Sequence, residues 1–522
     1  MTARYSSPVR TIPRAIEDRK FWVPVCAAFL AGYLLVAVRF TLYPGYTDHV
    51  ESLIASVSFL VSQGAPLYPD LGAAQRYSVP YGPMAYLPYA LALRSLGASV
   101  LSLKLLILFA HLCLLTLLWR CYRKLLRPSR ALLATAAVCA LFLSFLSLFQ
   151  IRGDVLLLFF VVFGLHAVLR SSSWLSALLL AVVCGFSLDI KFTAGFYFLP
   201  IYILLARGRG WRIMVSAAIG AGVFALTPFL LPHISLVEYL RWLHVFSREP
   251  LVREEVGREL TLLAIICAPL GLLLWQMAEA SPKLTTNYLR ENRLFLLSLA
   301  VGLAAIGVAA AKIGAGPHHF IPFFPLIGYA CADAYKTLNT IPAPRSESRR
   351  WNFLPLLWYG LTLAVVVKVG LSLLTPPSPL WRPRSQASAI VADLKSLMSQ
   401  HPGKNIEMGY GSHSSYPVTD FRPVLVFAGN PLTVDEMALD DMQMSDLAIP
   451  DSTLAYLRAC KTEIWLIPRD EIPFQIVNVY SQENPRLFPN WRVFDDHFRR
   501  IFLQHYHQTA STKYFDVWEC VE

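Results

Sequence analysis

Charge is scarce in this sequence. Asp, Glu, Lys and Arg make up 15% of the 522 residues, against 55% hydrophobic ones, and the mean hydropathy is +0.48. An ordinary soluble domain is about 25% charged, so the shortage excludes a soluble enzyme and puts the chain in a bilayer. Cysteines are few, and seven of the nine (Cys26, Cys113, Cys121, Cys139, Cys184, Cys267, Cys331) lie in or beside apolar runs without metal-ligand spacing. They read as small packing residues. Cys460 and Cys520 lie in the polar C-terminal region, where an oxidising compartment permits a disulfide; the sequence leaves their pairing open. No repeat relates the two halves, and the C-terminal region has no phosphate-cradling glycine loop. No small-residue cleavage site follows the first apolar run, which therefore reads as a retained anchor.

What the sequence has is apolar length. A spanning helix needs roughly 20 mostly apolar residues, and about eleven runs approach that: 21–43, 99–119, 131–150, 155–169, 174–188, 192–206, 213–232, 260–278, 294–311, 319–335 and 353–374. The net charge of +12 follows their sidedness. Basic residues gather at the N-terminus and on alternate loops, as at Arg120/Arg123/Lys124/Arg127/Arg130, Arg207/Arg209/Arg212 and Arg345/Arg349/Arg350. Cytoplasmic loops attract Lys and Arg, so the excess reports a cytoplasmic N-terminus rather than a nucleic-acid partner. The expected fold is a polytopic α-helical membrane protein of about eleven transmembrane helices, with amphipathic helices in the first outer loop and a C-terminal soluble α/β domain. Its divisions are a cytoplasmic N-terminus (1–20), a transmembrane part (21–375) whose first outer loop is 44–98, and an extracytoplasmic domain (376–522).

The stretch from Tyr43 to Gly97 is too long for a connector, and long loops are usually functional. Thr47 reads as an N-cap, with Asp48 and Glu51 in the first turns and Gly64 as terminator. Val50, Leu53, Ile54, Val57, Leu60 and Val61 repeat at helical spacing, predicting an amphipathic helix along the outer interface. The turns GAPLYPD (64–70) and VPYGP (79–83) follow, the second leading into a short helix from Met84 to Leu96. Three other outer loops carry unusual residues: IRGD (151–154), LDIK (188–191) and KIGAGPHH (312–319). The segment from His233 to Glu259, amphipathic over EYLRWLHVF, reads as a flap or an interfacial helix. Beyond the prolines after Thr375, Ala387 to Ser399 predicts a helix, while NIEMGYG, TEIWLIP and YFDVWECV predict strands.

Each polar residue has a plain structural reading. Asp48 is an acid in the first turn of a capped helix; Arg152 and Asp154 form an interfacial ion pair; Lys191 and Lys312 snorkel; His318 and His319 are interfacial; His111 and His166 pack mid-span. Their convergence on one face points further. Acids that can accept a proton stand beside cations that can hold an anionic group such as phosphate.

These pieces resemble the GT-C class of integral-membrane glycosyltransferases, which use polyprenyl-phosphate-linked sugars and include the protein O-mannosyltransferases and the aminoarabinose transferases of lipid A. The resemblance rests on TDHVE after the first span, Gly64-x-Pro66-x-Tyr68, Tyr81-Gly82-Pro83, Arg152-x-Asp154 at the start of the fourth span, Lys191 near the sixth, and KIGAGPHHF before the tenth. It implies inverting transfer of a sugar from a polyprenyl-phosphate donor to an acceptor hydroxyl on the extracytoplasmic face, with Asp48 as general base and Asp154 as second acid. Relatives often carry Asp-Glu in tandem; here His49 follows Asp48, and Glu51 joins the candidate catalytic set from further along. The resemblance also implies Arg152, Lys191, Lys312, His318 and His319 around the donor phosphate, and His49, Tyr68 and Tyr81 in the substrate loop.

No cofactor is required, because the sugar arrives activated on its lipid. A divalent metal shared by Asp48 and Asp154 stays open, though a metal-free site suits the lysines and histidines better. The implied partners are the lipid-linked donor, membrane lipid, and a lipid, polysaccharide or protein acceptor. The implied location is a bacterial inner membrane with the site and the C-terminal domain periplasmic. Two rival readings use the same residues. A transporter or flippase of lipid-linked sugars would favour an internal repeat, which is missing. A membrane-anchored polysaccharide-binding protein would leave the acidic first loop unexplained.

Overall fold

The computed structural model describes residues 19–77, 81–170, 174–340, 383–412, 416–478, 481 and 491–521. The expected span 353–374 and the linker after Thr375 lie outside the described residues. Up to there the chain is helical: α1 (Arg19–Leu42), α2 (His49–Ser62), α3 (Leu87–Leu96), α4 (Val100–Tyr122), α5 (Pro128–Leu143), α6 (Gly153–Arg170), α7 (Trp174–Leu188), α8 (Gly195–Arg209), α9 (Trp211–Leu226), α10 (Leu236–Ser247), α11 (Arg253–Ala280), α12 (Pro282–Ala310) and α13 (Phe324–Leu338). Six helical stretches among the described residues are long and apolar enough to cross a membrane: α1, α4, α6, α9 with the turn that extends it, α11 and α12.

Four of the eleven expected spans fall short of that length. The runs 131–150 and 174–188 become α5 and α7, of 16 and 15 residues. Run 192–206 becomes the 15-residue α8 with Pro200 inside it. Run 319–335 opens in a 3₁₀ stretch, Pro317–Phe323, which leaves α13 only 15 residues. Fifteen residues rise about 22 Å, less than a hydrocarbon core of roughly 30 Å. Hydropathy alone did not distinguish these helices, because the backbone leaves the α-helix after Leu143 and across Pro317–Phe323 without losing apolar content.

The helices pack closely where small residues meet. α6 lies against α4 and α7, α7 against α9, α8 against α12, and α11 against α12 and α13. A Cβ on Gly185 would stand 2.6 Å from the Ala221 carbonyl oxygen, and one on Gly302 would stand 2.8 Å from that of Phe196. Such contacts let helix backbones approach where lipid offers no hydrophobic gain.

α2 differs from its expectation. It does not present a free polar face: every residue from Val50 to Ser58 is buried. The side chains opposite its apolar stripe are serines and Glu51, small or paired, so α3 and the C-terminal segment Pro423–Val426 both pack on it. α10 is amphipathic as expected, with Tyr239, Trp242, Val245 and Phe246 buried and Val237 and Leu240 exposed. Its Trp242 indole donates to the Pro69 carbonyl at 2.8 Å, tying α10 to the first loop.

The C-terminal part holds α14 (Arg384–Gln400) and a sheet of β1 (Ile406–Met408), β2 (Ile464–Pro468), β3 (Tyr506–Ser511) and β4 (Phe515–Cys520) in the order β1-β2-β4-β3. β1 runs parallel to β2, and the other two pairings are antiparallel. Three strands match the sequence expectation. β3, YHQTAS, is the addition: an edge strand exposed after its first residue, with none of the alternation that marks a half-buried strand. Cys460 and Cys520 are joined in a disulfide, with Cα atoms 6.0 Å apart.

This outer part is fastened to the first loop. The Arg76 amide donates to Thr433 and the Asp435 amide to Arg76. Ser452 and Thr453 donate to the carbonyls of Gly72 and Ala74 at 2.7 and 2.8 Å. Phe421 sits so close to Gly45 that a Cβ there would lie 2.7 Å from its ring. Trp465 and Phe474 of the outer part belong to the same buried cluster as Tyr33 and Leu53 of the helical part. A second cluster, around Leu394, Ile464 and Phe515, takes in Tyr43. The outer part therefore shares its core with the helices.

Candidate active site

The first loop is built on a cap. Asp48, not Thr47, is the N-cap of α2, and its carboxylate accepts from the Val50 amide at 2.7 Å. Such a cap is worth about 1 kcal/mol. The same carboxylate oxygen meets the Arg152 guanidinium at 2.7 Å and lies 3.9 Å from His49 Nδ1. The Asp48 side chain keeps 22% of its surface exposed. Burial pushes its proton affinity up, but Arg152, His49 and the Val50 amide together hold the carboxyl well below the usual carboxylate range. Arg152 is charged for the reciprocal reason: burial opposes its charge, and Asp48 outweighs it.

Glu51 is also brought near, but it faces inward. Fully buried, it accepts from the Thr47 amide at 2.7 Å, the Thr47 hydroxyl at 3.0 Å and the Ile151 amide at 3.2 Å. Lys104, equally buried, stands 3.8 Å away and donates to the carbonyls of Tyr43 and Gly45. Removing one partner of such a pair costs about 3–5 kcal/mol. The structure thus gives Glu51 the work of fixing the first loop to α4 and the start of α6. Lys104 was not among the residues expected from sequence, although a lone lysine in an apolar run is itself a signal.

The second acid stands in the first turn of α6, where the helix dipole favours a carboxylate. Asp154 accepts from Lys191 Nζ at 2.7 Å, with both side chains buried. Lys191 Nζ also lies 5.9 Å from the centre of the Tyr81 ring. Close backbone approach sets this corner. A Cβ on Gly82 would stand 2.2 Å from the Asp189 carbonyl oxygen, and one on Gly153 would stand 2.7 Å from Ile190 Cγ2. Only glycine lets the Tyr81-Gly82-Pro83 turn and the start of α6 both press on 189–191. The Met84 amide donates to Asp189 at 3.1 Å, and the Tyr68 hydroxyl to the Tyr81 carbonyl at 2.8 Å.

The histidines close the cluster. His318 lies within electrostatic reach of Asp48, Arg152, Asp154 and Lys191. Burial, helped by Lys191 and Arg152, pushes it down to about 3, and His319 is likewise held well below its ordinary value, by burial first. Both are neutral at physiological pH, so they offer single N–H donors rather than positive charge. The Tyr197 hydroxyl donates to the His319 carbonyl at 2.7 Å. Arg152 Nε and His319 Nδ1 are buried with no hydrogen-bond partner. Lys312 is not brought to this group: its ammonium donates to the Ser247 carbonyl at 2.8 Å. Among the described residues no group of three or more His, Cys, Asp or Glu side chains is arranged to hold a metal ion.

Asp189, in LDIK, was passed over in the sequence. Its side chain is buried and Oδ2 has no partner; burial pushes the carboxyl up to about 8. An acid whose folded value is raised gives the fold its full contribution only below its unfolded value, and that contribution is gone once pH has risen through the folded value. Asp189→Asn should therefore match the wild-type melting temperature only below the ordinary carboxyl value of 3.8, exceed it at pH 6 and exceed it further at pH 9. A melting temperature below wild type at pH 9 would show that the ionised carboxylate has a partner.

No family model matches the chain, and no curated protein matches it by sequence. Solved structures do match. ArnT from Cupriavidus metallidurans in the apo state superposes with a TM-score of 0.53 at 16% identity, covering 95% of this chain and 98% of that one. The same protein bound to undecaprenyl phosphate gives 0.53 at 14%, covering 94% and 97%. The fold is that of the GT-C glycosyltransferases. The likeness runs through the helices and the outer part alike.

Proposed function

We propose that this chain is an inverting glycosyltransferase of the membrane. It moves a sugar from a polyprenyl-phosphate donor to an acceptor hydroxyl on the extracytoplasmic face, with Asp48 as general base and the N-terminus cytoplasmic. One observation carries the reading: two acid–cation pairs, Asp48–Arg152 and Asp154–Lys191, stand together beside two neutral histidines. The match to a protein crystallised with undecaprenyl phosphate supports the donor class.

Charge counting gives the mechanism. Two carboxylates and two cations leave the resting cluster neutral. A donor phosphodiester adds one negative charge and competes for Arg152 and Lys191, guanidinium and ammonium being strong phosphate partners. As Arg152 turns to the phosphate, Asp48 loses its largest acid-strengthening neighbour, and burial then raises its proton affinity. The acceptor oxygen bonds to the anomeric carbon, the bond from that carbon to the phosphate oxygen breaks, and the acceptor's proton passes to Asp48. The departing phosphate gains one negative charge as Asp48 loses one. Arg152 and Lys191, with N–H groups of His318 and His319, stabilise that leaving group. No resident metal is needed for this balance, since the cations are already there.

The test is transfer of radiolabelled sugar from a polyprenyl-phosphate donor by the purified protein in proteoliposomes, offered lipid, polysaccharide and protein acceptors. Label should move to one acceptor class. Donor that is bound but never consumed with any of the three would mark the chain as a carrier of lipid-linked sugar instead.

A further inference from the structure

The far ends of α4 and α6 hold a second charged site. α6 carries Asp154 in its first turn, Arg170 in its last and His166 one turn before Arg170, and at 1.5 Å per residue His166 lies about 18 Å along the helix from Asp154. There a cavity of about 360 Å³ is lined by Arg120, Arg123, Lys124, His166 and Arg170. None of the four cations forms an ion pair with an acid among the described residues; Arg123 lies over the Trp119 ring at 5.6 Å. His166 is 8% exposed, and both of its ring nitrogens are buried without a hydrogen-bond partner.

A bland reading would be a basic loop at a membrane face. It accounts for exposed arginines, but not for an imidazole buried among them with neither nitrogen bonded. Buried polar groups are normally satisfied, and like charges around one cavity repel. A bound anion relieves both conditions at once. Arginine favours anions whose oxygens can take two parallel N–H bonds, as phosphate does. Basic pockets between transmembrane helices bind lipid head groups in this way.

We propose that this pocket binds a phosphate group, with Arg120, Arg123, Lys124 and Arg170 around its oxygens and His166 donating from the pocket wall. The phosphate can come from the head group of an anionic membrane lipid or from a soluble phosphate. The site is separate from the candidate active site and does not depend on the proposed transfer.

The experiment uses the full-length protein in a mild detergent. One arm titrates dioleoylphosphatidylglycerol against dioleoylphosphatidylcholine in mixed micelles; the other titrates inorganic phosphate at constant ionic strength. Binding is read by thermal shift in both arms and by retained lipid adducts in native mass spectrometry. Wild type should respond to at least one phosphate probe and not to phosphatidylcholine. Arg120→Gln/Arg170→Gln should weaken that response about tenfold or more, the loss of charge-assisted bonds, and His166→Phe should weaken it too. Arg290→Gln/Arg293→Gln, at exposed positions of α12, should leave it unchanged. If the first double variant does not fold, Arg123→Gln/Lys124→Gln decides. Response to phosphatidylglycerol alone assigns a lipid head group, and response to inorganic phosphate alone assigns a soluble ligand. No response to either probe, or equal responses from wild type and the pocket variants, would overturn the site.

Discussion

Asp48→Asn should cut the rate of sugar transfer by about 10²–10⁴-fold, the range that a positioned general base contributes. Asparagine keeps the size of the side chain and an oxygen for the Val50 amide, so the cap on α2 survives. What it loses is the charge facing Arg152 at 2.7 Å and the ability to take a proton. The melting temperature should fall modestly, since Arg152 loses its ion-pair partner, while donor binding holds or tightens because Arg152 no longer has a carboxylate to leave. Full activity from a folded Asp48→Asn protein would remove Asp48 from the mechanism and move the search to Asp154.

Arg152→Gln should be nearly as severe, about 10²–10³-fold in turnover, since a group that stabilises charge in the leaving phosphate is lost. Its signature differs from that of Asp48→Asn. In the wild type Arg152 is a main reason the Asp48 carboxyl lies low; without it, burial dominates and the carboxyl rises. A base works only while deprotonated, so activity should disappear at a higher pH on acidification than in wild type. A uniform loss at every pH, with the acid limb unmoved, would mean that Arg152 binds phosphate without governing Asp48. His318 and His319 are held neutral well below physiological pH, so neither should contribute a limb between pH 5 and 8.

How much of this could be read from the sequence depends on range. Asp48, Arg152, Asp154 and Lys191 were found because each sits at the end of an apolar run, where a charge is conspicuous. Gly82 was found because a turn needs it, yet its true constraint is a carbonyl from 189, more than a hundred positions away. Pairing is what the sequence withheld. Nothing local says that Glu51 faces Lys104 or that Lys312 faces Ser247, because those contacts depend on how α2, α4 and the loop before α11 pack. The neutrality of His318 and His319 is equally invisible locally, because it comes from enclosure by distant residues. Apolar runs also overstated helix length where the backbone leaves the α-helix without losing apolar residues, as after Leu143 and across the 3₁₀ stretch Pro317–Phe323.

The seam between the first loop and the outer part bears on how such proteins diversify. Backbone bonds between Arg76 and the 433–435 segment, the Phe421 ring on Gly45 and a shared core make these pieces one structural unit. An outer domain exchanged between relatives would bring the wrong partner for the loop that carries Asp48. Recombination that preserved activity would have to move residues 44–98 and the outer domain together.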